Sequence, residues 1–171
     1  MVNIIEGSKG PNFGDKNGNG QVENPGDGFG VLTYASAAAA HAGLAAAASY
    51  ADALVKLHGQ HVMDAAANVT DRATLARDKA LVVAGAADLS AATAAAAEMA
   101  DAAGKAFKGF DANGNGSIEL VKGESGSLVV YDHAQLMATF TLAPAAAPAA
   151  GRPRRSCRSS GAWRRSWRRL G

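Results

Sequence analysis

The apolar positions of the chain form long alanine-rich stretches, and two short segments rich in Asn and Gly interrupt them. From about 29 to 69 the residues are rich in Ala and Leu, which favour helix. Gly43 and Gly59 are the points in this stretch where a helix can kink or break. Alanine side chains bury little area each, so the predicted helices must approach one another closely to gain stability. The pattern predicts a mainly α protein, an Ala-rich helical bundle.

Three further helices are predicted from local signals. Asp71 has the side chain of a helix N-cap and is expected to begin a helix that runs to about Ala86. Asp88 or Ser90 is expected to cap the next helix, which continues to about position 110. Residues 128–142 predict a strand-like start that leads into a helix. The N-terminal residues 1–6 read like the end of a helix that began earlier.

The two Asn/Gly-rich segments share one spacing. The first runs D-K-N-G-N-G-Q-V-E from Asp15, and the second runs D-A-N-G-N-G-S-I-E from Asp111. Oxygen-bearing side chains stand at alternate positions, which lets a curled loop point them at one ion. Ca²⁺ takes six to eight oxygen ligands, and a sharp bend at the sixth position requires the positive φ that Gly20 and Gly116 tolerate. The spacing therefore predicts two calcium loops and an internal repeat.

Both segments resemble EF-hand and dockerin-type calcium loops, whose pattern is D-x-[DN]-x-[DN]-G-x-[aliphatic]. The resemblance implies that the two loops pair, with a short β-bridge at the aliphatic residues Val22 and Ile118. It also implies a carboxylate at position 12, where this chain has Gly26 and Lys122. We expect the next carboxylates along the chain to close the sites instead. The predicted ligands are Asp15, Asn17, Asn19, Gln21, Glu23 and Asp27 in the first loop, and Asp111, Asn113, Asn115, Ser117, Glu119 and Glu124 in the second.

Neutral Asn at the third and fifth positions lowers the negative charge of each loop, so weak sites are expected, with a Kd of about 10⁻⁴–10⁻³ M. The alternative is an Asn-Gly turn that binds no metal, because such dipeptides form tight turns on their own. The predicted function is calcium binding that orders helices or presents a surface to a partner. Calcium ions are the partner that the sequence itself indicates.

A second metal site is the alternative function. His58 and His61 are three residues apart, so on a helix both rings share one face and can bind one transition metal ion. His41 is too far from this pair on a continuous helix, and the position of His133 is left open. Ordinary packed histidines are the competing interpretation. No nucleophile–base pair or phosphate-binding glycine loop is found, so the protein is predicted not to be an enzyme.

The domain organisation follows from composition. Residues 1–141 are expected to form the helical domain, with Ala-rich helices inserted at about 29–110, and residues 142–150 an Ala/Pro linker. Residues 151–171 hold eight of the 17 Lys and Arg residues, none of the 15 Asp and Glu residues, and both Trp. This basic C-terminal tail is predicted to be disordered. It is either a reading-frame artefact or a genuine tail, and contact with nucleic acid or membrane is the less favoured alternative.

The compartment is left unknown by the sequence. The first residues lack the basic and long apolar regions of a signal peptide, and no stretch is apolar enough to predict a transmembrane helix. Weak calcium sites would suit a location outside the cytoplasm if the N-terminus is truncated. The lone Cys157 rules out a disulfide within the chain.

Overall fold

The computed structural model describes residues 1–23 and 26–139, and this part of the chain is mainly helical, as predicted. The predicted linker at 142–150 and basic tail at 151–171 lie outside the described residues. The helices are α1 (Val2–Glu6), α2 (Val31–Ala47), α3 (Ala53–Ala84), α4 (Leu89–Lys108) and α5 (Ser127–Met137). Within the described part, no helix is long and apolar enough to cross a membrane.

Helix α3 is the centre of the bundle and packs against α1, α2, α4 and α5. Its buried residues recur every three or four positions, which places them along one stripe of the helix. They are almost all small: Gly59, Val62, Ala65, Ala66, Asn68, Val69, Ala73, Ala76 and Ala80. A methyl group placed on Gly59 would lie 3.0 Å from Ala46 Cβ and 3.2 Å from the Ala42 carbonyl oxygen. Small residues thus allow the close helix approach that an alanine-rich core requires.

The helix boundaries agree with the prediction at one cap and differ at another. Asp88 caps α4, because its side chain accepts a hydrogen bond from the Ala91 amide at 2.8 Å. The predicted cap at Asp71 is wrong, since this residue lies inside α3. The true cap of α3 is Asp52, which accepts from the Val55 amide at 2.8 Å. Helix α5 also starts directly at Ser127, so the predicted strand-like start is wrong.

Each Asn/Gly-rich loop is flanked by two helices and closed by one isolated β-bridge. Gly7 pairs with Phe29 around the first loop, and Gly109 pairs with Ser125 around the second. Gly7 and Gly109 have φ of 76° and 83°, and a side chain on either would collide with the backbone of the segment to which it is bridged. The first helix–loop–helix unit is therefore α1, loop and α2. The second is the end of α4, loop and α5.

The two loops do not pair in the way that the resemblance implies. The isolated bridges found in the described part each join the two ends of one loop, and Val22 and Ile118 are both about half exposed. The physical reason is that the units dock at different points of α3. Arg77 binds Glu6 of the first unit, whereas Asn68 binds Ser125 of the second. Nine residues of helix separate these points by roughly 13 Å.

Candidate metal centres

The first loop, residues 15–27, is organised by its own Asp and Asn side chains. Asp15 Oδ1 accepts from the Gly18 amide and Asp15 Oδ2 from the Gly20 amide, both at 2.8 Å. Asn17 Oδ1 accepts from the Asn19 amide at 3.1 Å, and Asn19 Oδ1 from the Gln21 amide at 2.8 Å. These bonds curl the backbone around the side-chain oxygens.

The second loop, residues 111–124, has equivalent bonds 96 positions later. Asp111 accepts from the amides of Gly114 and Gly116, both at 2.7 Å. The side-chain oxygens of Asn113 and Asn115 accept from amides two residues on, at 3.0 and 2.9 Å. Gly20 and Gly116, the predicted bend positions, have φ of 83° and 88°. Two distant segments therefore adopt one local structure.

A carboxylate stands opposite the Asn side chains in each loop. Asn17 Nδ2 and Asn19 Nδ2 donate to Glu23 Oε1 at 3.0 and 3.1 Å. In the second loop Asn113 Nδ2 donates to Glu119 Oε2 at 2.9 Å. Glu23 and Glu119 therefore lie across their loops from the Asx turns, which is where a position-nine ligand must lie to reach the same ion.

The aspartates that begin the loops are poised as anions. The Gly20 amide, followed by those of Gly18 and Asn17, holds the pKa of Asp15 below its ordinary value, although desolvation opposes this. The Gly116 amide acts on the pKa of Asp111 in the same direction. Amide donors stabilise the charged form of a carboxylate, so both side chains are ionised at neutral pH.

The two carboxylates expected to close the sites behave differently. Asp27 is held outside the loop network, since it accepts from the Phe29 amide at 2.9 Å and from the Tyr34 hydroxyl on α2. The Tyr34 hydroxyl is the main reason that the pKa of Asp27 is lowered. Glu124 is buried, and its Oε2 accepts from the Glu119 amide at 2.8 Å. Glu124 is thus hydrogen-bonded within the second loop, whereas Asp27 is hydrogen-bonded to α2.

Asn3 on α1 is a residue of the first site that sequence reasoning did not identify. Its Nδ2 donates to the carbonyl oxygens of Gly14 and Glu23 at 2.9 and 2.8 Å, and its Oδ1 accepts from the Gly14 amide at 3.2 Å. The side chain is thereby tied to both ends of the segment 15–23, which holds most of the predicted ligands of the first loop. An Asn in the first turn of a short helix carries no sequence signal for this role.

Three histidines form the other cluster. His58 and His61 lie one turn apart on α3, as predicted, and His133 reaches them from α5. The Nδ1 atoms of His58 and His61 lie 2.9 and 3.0 Å from His133 Nδ1. His133 is buried, and the other two are half-buried. Desolvation, followed by the proximity of His61 and His58, holds the pKa of His133 below its ordinary value. His133 is thus neutral at pH 7.

His133 could not be placed from the sequence, because contacts 72 and 75 residues away along the chain depend on helix packing. His41 lies outside the cluster, on the exposed side of α2. Comparison of the chain with models of known families, with curated proteins and with solved structures gives no match. The interpretation of both centres therefore rests on their own residues.

Proposed function

We propose that this protein binds calcium through the two loops, and that the ions order the helices on either side. The observation that carries the proposal is the equivalence of the loops. Each has the same five hydrogen bonds: two from glycine amides to the Asp, two from amides to Asn oxygens, and one from an Asn amide group to the Glu. An Asn-Gly turn needs fewer of these polar side chains, and it does not require a Glu opposite them.

The donor set fits a hard cation. Each loop offers Asp and Glu carboxylates, Asn side-chain oxygens and a backbone carbonyl at the seventh position, which are the oxygen types that Ca²⁺ prefers. Asn17 and Asn19 now satisfy Glu23 through their Nδ2 groups. A bound cation would take over that carboxylate and favour the Asn oxygens instead. Ion binding would therefore exchange hydrogen-bond partners within the loop.

The second loop is the stronger candidate of the two. Asp111, Glu119 and Glu124 supply three carboxylates within one hydrogen-bonded network. The first loop keeps only Asp15 and Glu23, because Asp27 is bound to α2. Calcium affinity rises with the number of charged ligands, so we expect the second loop to fill first.

The proposed role of the ions is structural. The second loop connects α4 directly to α5, and the first lies between α1 and α2. Metal binding to such a loop lowers the free energy of the folded chain relative to the unfolded one. Since α2, α4 and α5 all pack on α3, ordering the loops would fix the two outer units on the central helix.

Isothermal titration of the chelator-stripped full chain with Ca²⁺ tests the proposal, with Mg²⁺ as the competing ion. We expect two binding events, of which Asp111→Asn removes the tighter and Asp15→Asn the weaker. Asp71→Asn is the matched control, because it makes the same change at an exposed position of α3. The proposal fails if millimolar Ca²⁺ does not bind, or if the control weakens binding as much as the loop variants.

A further inference from the structure

We propose that His58, His61 and His133 form a binding site for a divalent first-row transition metal ion, of the class of Zn²⁺. The site is separate from the calcium loops in residues and in donor chemistry. Its three donors are imidazole nitrogens, which suit zinc, copper and nickel, whereas Ca²⁺ selects oxygen. The inference therefore does not depend on the calcium proposal.

One directed hydrogen bond cannot satisfy both contacts of the His133 Nδ1 atom. An imidazole Nδ1 has one site in the ring plane, which is either an N–H donor or a lone-pair acceptor. His133 Nδ1 lies within hydrogen-bond distance of two other Nδ1 atoms at once. Its single N–H or single lone pair can point directly at only one of them, so the other contact lacks a well-aligned hydrogen bond. A cation between the rings would accept all three lone pairs.

The spacing of the nitrogen atoms also suits a metal ion. Zinc–nitrogen bonds of about 2.0–2.1 Å place the ligand atoms roughly 3.3 Å apart in a tetrahedron and roughly 3.0 Å apart in an octahedron. The His133 nitrogen lies 2.9 and 3.0 Å from those of His58 and His61, and all three donor atoms lie within 4.8 Å of one another. The rings meet edge to face, at interplanar angles of 61°, 64° and 85°. Rings turned this way can each aim a lone pair at a common point.

The three histidines stand on two helices that pack against each other. His58 and His61 are on one regular helix of 32 residues, and Gly59 between them allows α2 to pack closely behind that turn. His133 is buried on α5, which packs against α3. A site built on packed helices keeps its donors in place before the ion arrives, which lowers the cost of binding.

The donor set also indicates what else the ion would hold. The cluster contains three histidines and no carboxylate or thiolate among the described residues. Three protein ligands leave coordination positions for water or an outside ligand, as in zinc sites that remain open. The site would thus present an accessible metal ion between α3 and α5.

The test is a titration of the metal-free full chain with Zn²⁺ in the presence of excess Ca²⁺, so that the loops cannot compete. Co²⁺ serves as a spectroscopic probe, because its visible d–d bands respond to nitrogen ligation and coordination number. We expect one ion per chain. His133→Ala should weaken binding by more than about 100-fold, since loss of an outer partner alone typically costs 10–100-fold.

Two controls separate metal ligation from folding and from other donors. His41→Ala removes an exposed histidine outside the cluster and should leave the Zn²⁺ affinity within about twofold, as should Cys157→Ser. His58→Ala and His61→Ala alter half-buried positions, so their helix content should be retained by circular dichroism while binding is lost. Zn²⁺ binding that survives any of the three cluster variants, or no binding at 100-fold excess over protein, would overturn the proposal.

Discussion

Removal of the Asn3 side chain should weaken calcium binding at the first loop, if the proposed function holds, and spare the second. Asn3 is buried and connects α1 to the carbonyl oxygens of Gly14 and Glu23 and to the Gly14 amide. These three hydrogen bonds hold the two ends of the segment 15–23 together. In Asn3→Ala the ends are released, so the loop must be ordered by the ion alone.

The magnitude follows from the number of bonds. A typical internal hydrogen bond contributes a net 0.5–1.5 kcal/mol, so three of them suggest about 2–4 kcal/mol. Glu23 is exposed, and water can replace part of what its carbonyl loses. The lower end, about 2 kcal/mol, is therefore appropriate. At 1.4 kcal/mol per factor of ten, the Kd of the first loop should rise about 30-fold.

The assay is calcium titration in an Asp111→Asn background, in which only the first loop is expected to bind. Asn3→Asp is the informative companion, because it keeps the size of the side chain but turns a carboxylate oxygen toward two carbonyl oxygens. It should weaken binding at least as much as alanine does. Gln60→Ala removes an exposed amide on α3 and serves as the control. The reasoning would be refuted if Asn3→Ala left the Kd of the first loop within twofold of its value in the Asp111→Asn protein. An unchanged Kd in Asn3→Asp would refute it as well.

Three other predictions concern the stability of the bundle. Gly59→Val should lower the free energy of unfolding by about 1–3 kcal/mol, because the new side chain meets the backbone of α2. The change would appear as a lower urea midpoint, and an unchanged midpoint would contradict the close packing of α2 on α3. Asp52→Ala should lower the free energy of unfolding by about 1 kcal/mol and Asp71→Ala by less than about 0.5 kcal/mol, since only Asp52 caps α3. Equal losses of stability would contradict the observed start of α3. Burial raises the pKa of Glu6, but bonds from Asn12 and Arg77 outweigh it, so the pKa is lowered. Glu6 therefore stabilises the folded protein above about pH 4.5, and this stabilisation is lost as the pH falls through the lower pKa of the folded state. Glu6→Gln should flatten this part of the curve of unfolding free energy against pH, measured by urea unfolding. A curve identical to that of the parent protein would contradict this.

The sequence predicts the helical class and the loops because both depend on local chemistry. Ala-rich stretches favour helix wherever they lie, and an Asx turn needs only residues two to five positions apart. The same local chemistry makes Asp88 and Ser90 the two candidate caps of α4, and the structure shows that Asp88 is the cap. Asp71 misled because an Asp caps a helix only where the preceding backbone is not helical. The buried stripe of α3 continues through this region from Ala65 to Ala76, and its packing keeps the helix unbroken.

The pairing of the loops was a prediction from resemblance, and it fails because α3 provides two separate docking points. The Arg77–Glu6 ion pair, at 2.7 Å, fixes the first unit near the end of α3. The bond from Asn68 to the Ser125 carbonyl fixes the second unit near its middle. Neither partner can be chosen from the sequence, since Arg and Asn on a helix are ordinary surface residues until a specific carbonyl or carboxylate meets them.

The histidine cluster follows from the same docking. With Ser125 held at Asn68, α5 begins two residues later at Ser127, and His133 lies six residues, or roughly 9 Å, into this helix. His61 and His58 lie seven and ten residues back along α3 from Asn68, or roughly 10 and 15 Å. The distances along α5 and along α3 are similar, and the histidines meet because α5 runs antiparallel to α3 from the contact between Asn68 and Ser125. One inserted residue in α5 would turn His133 by about 100° and break the cluster. The contact between Asn68 and Ser125 therefore sets the register of the three histidines.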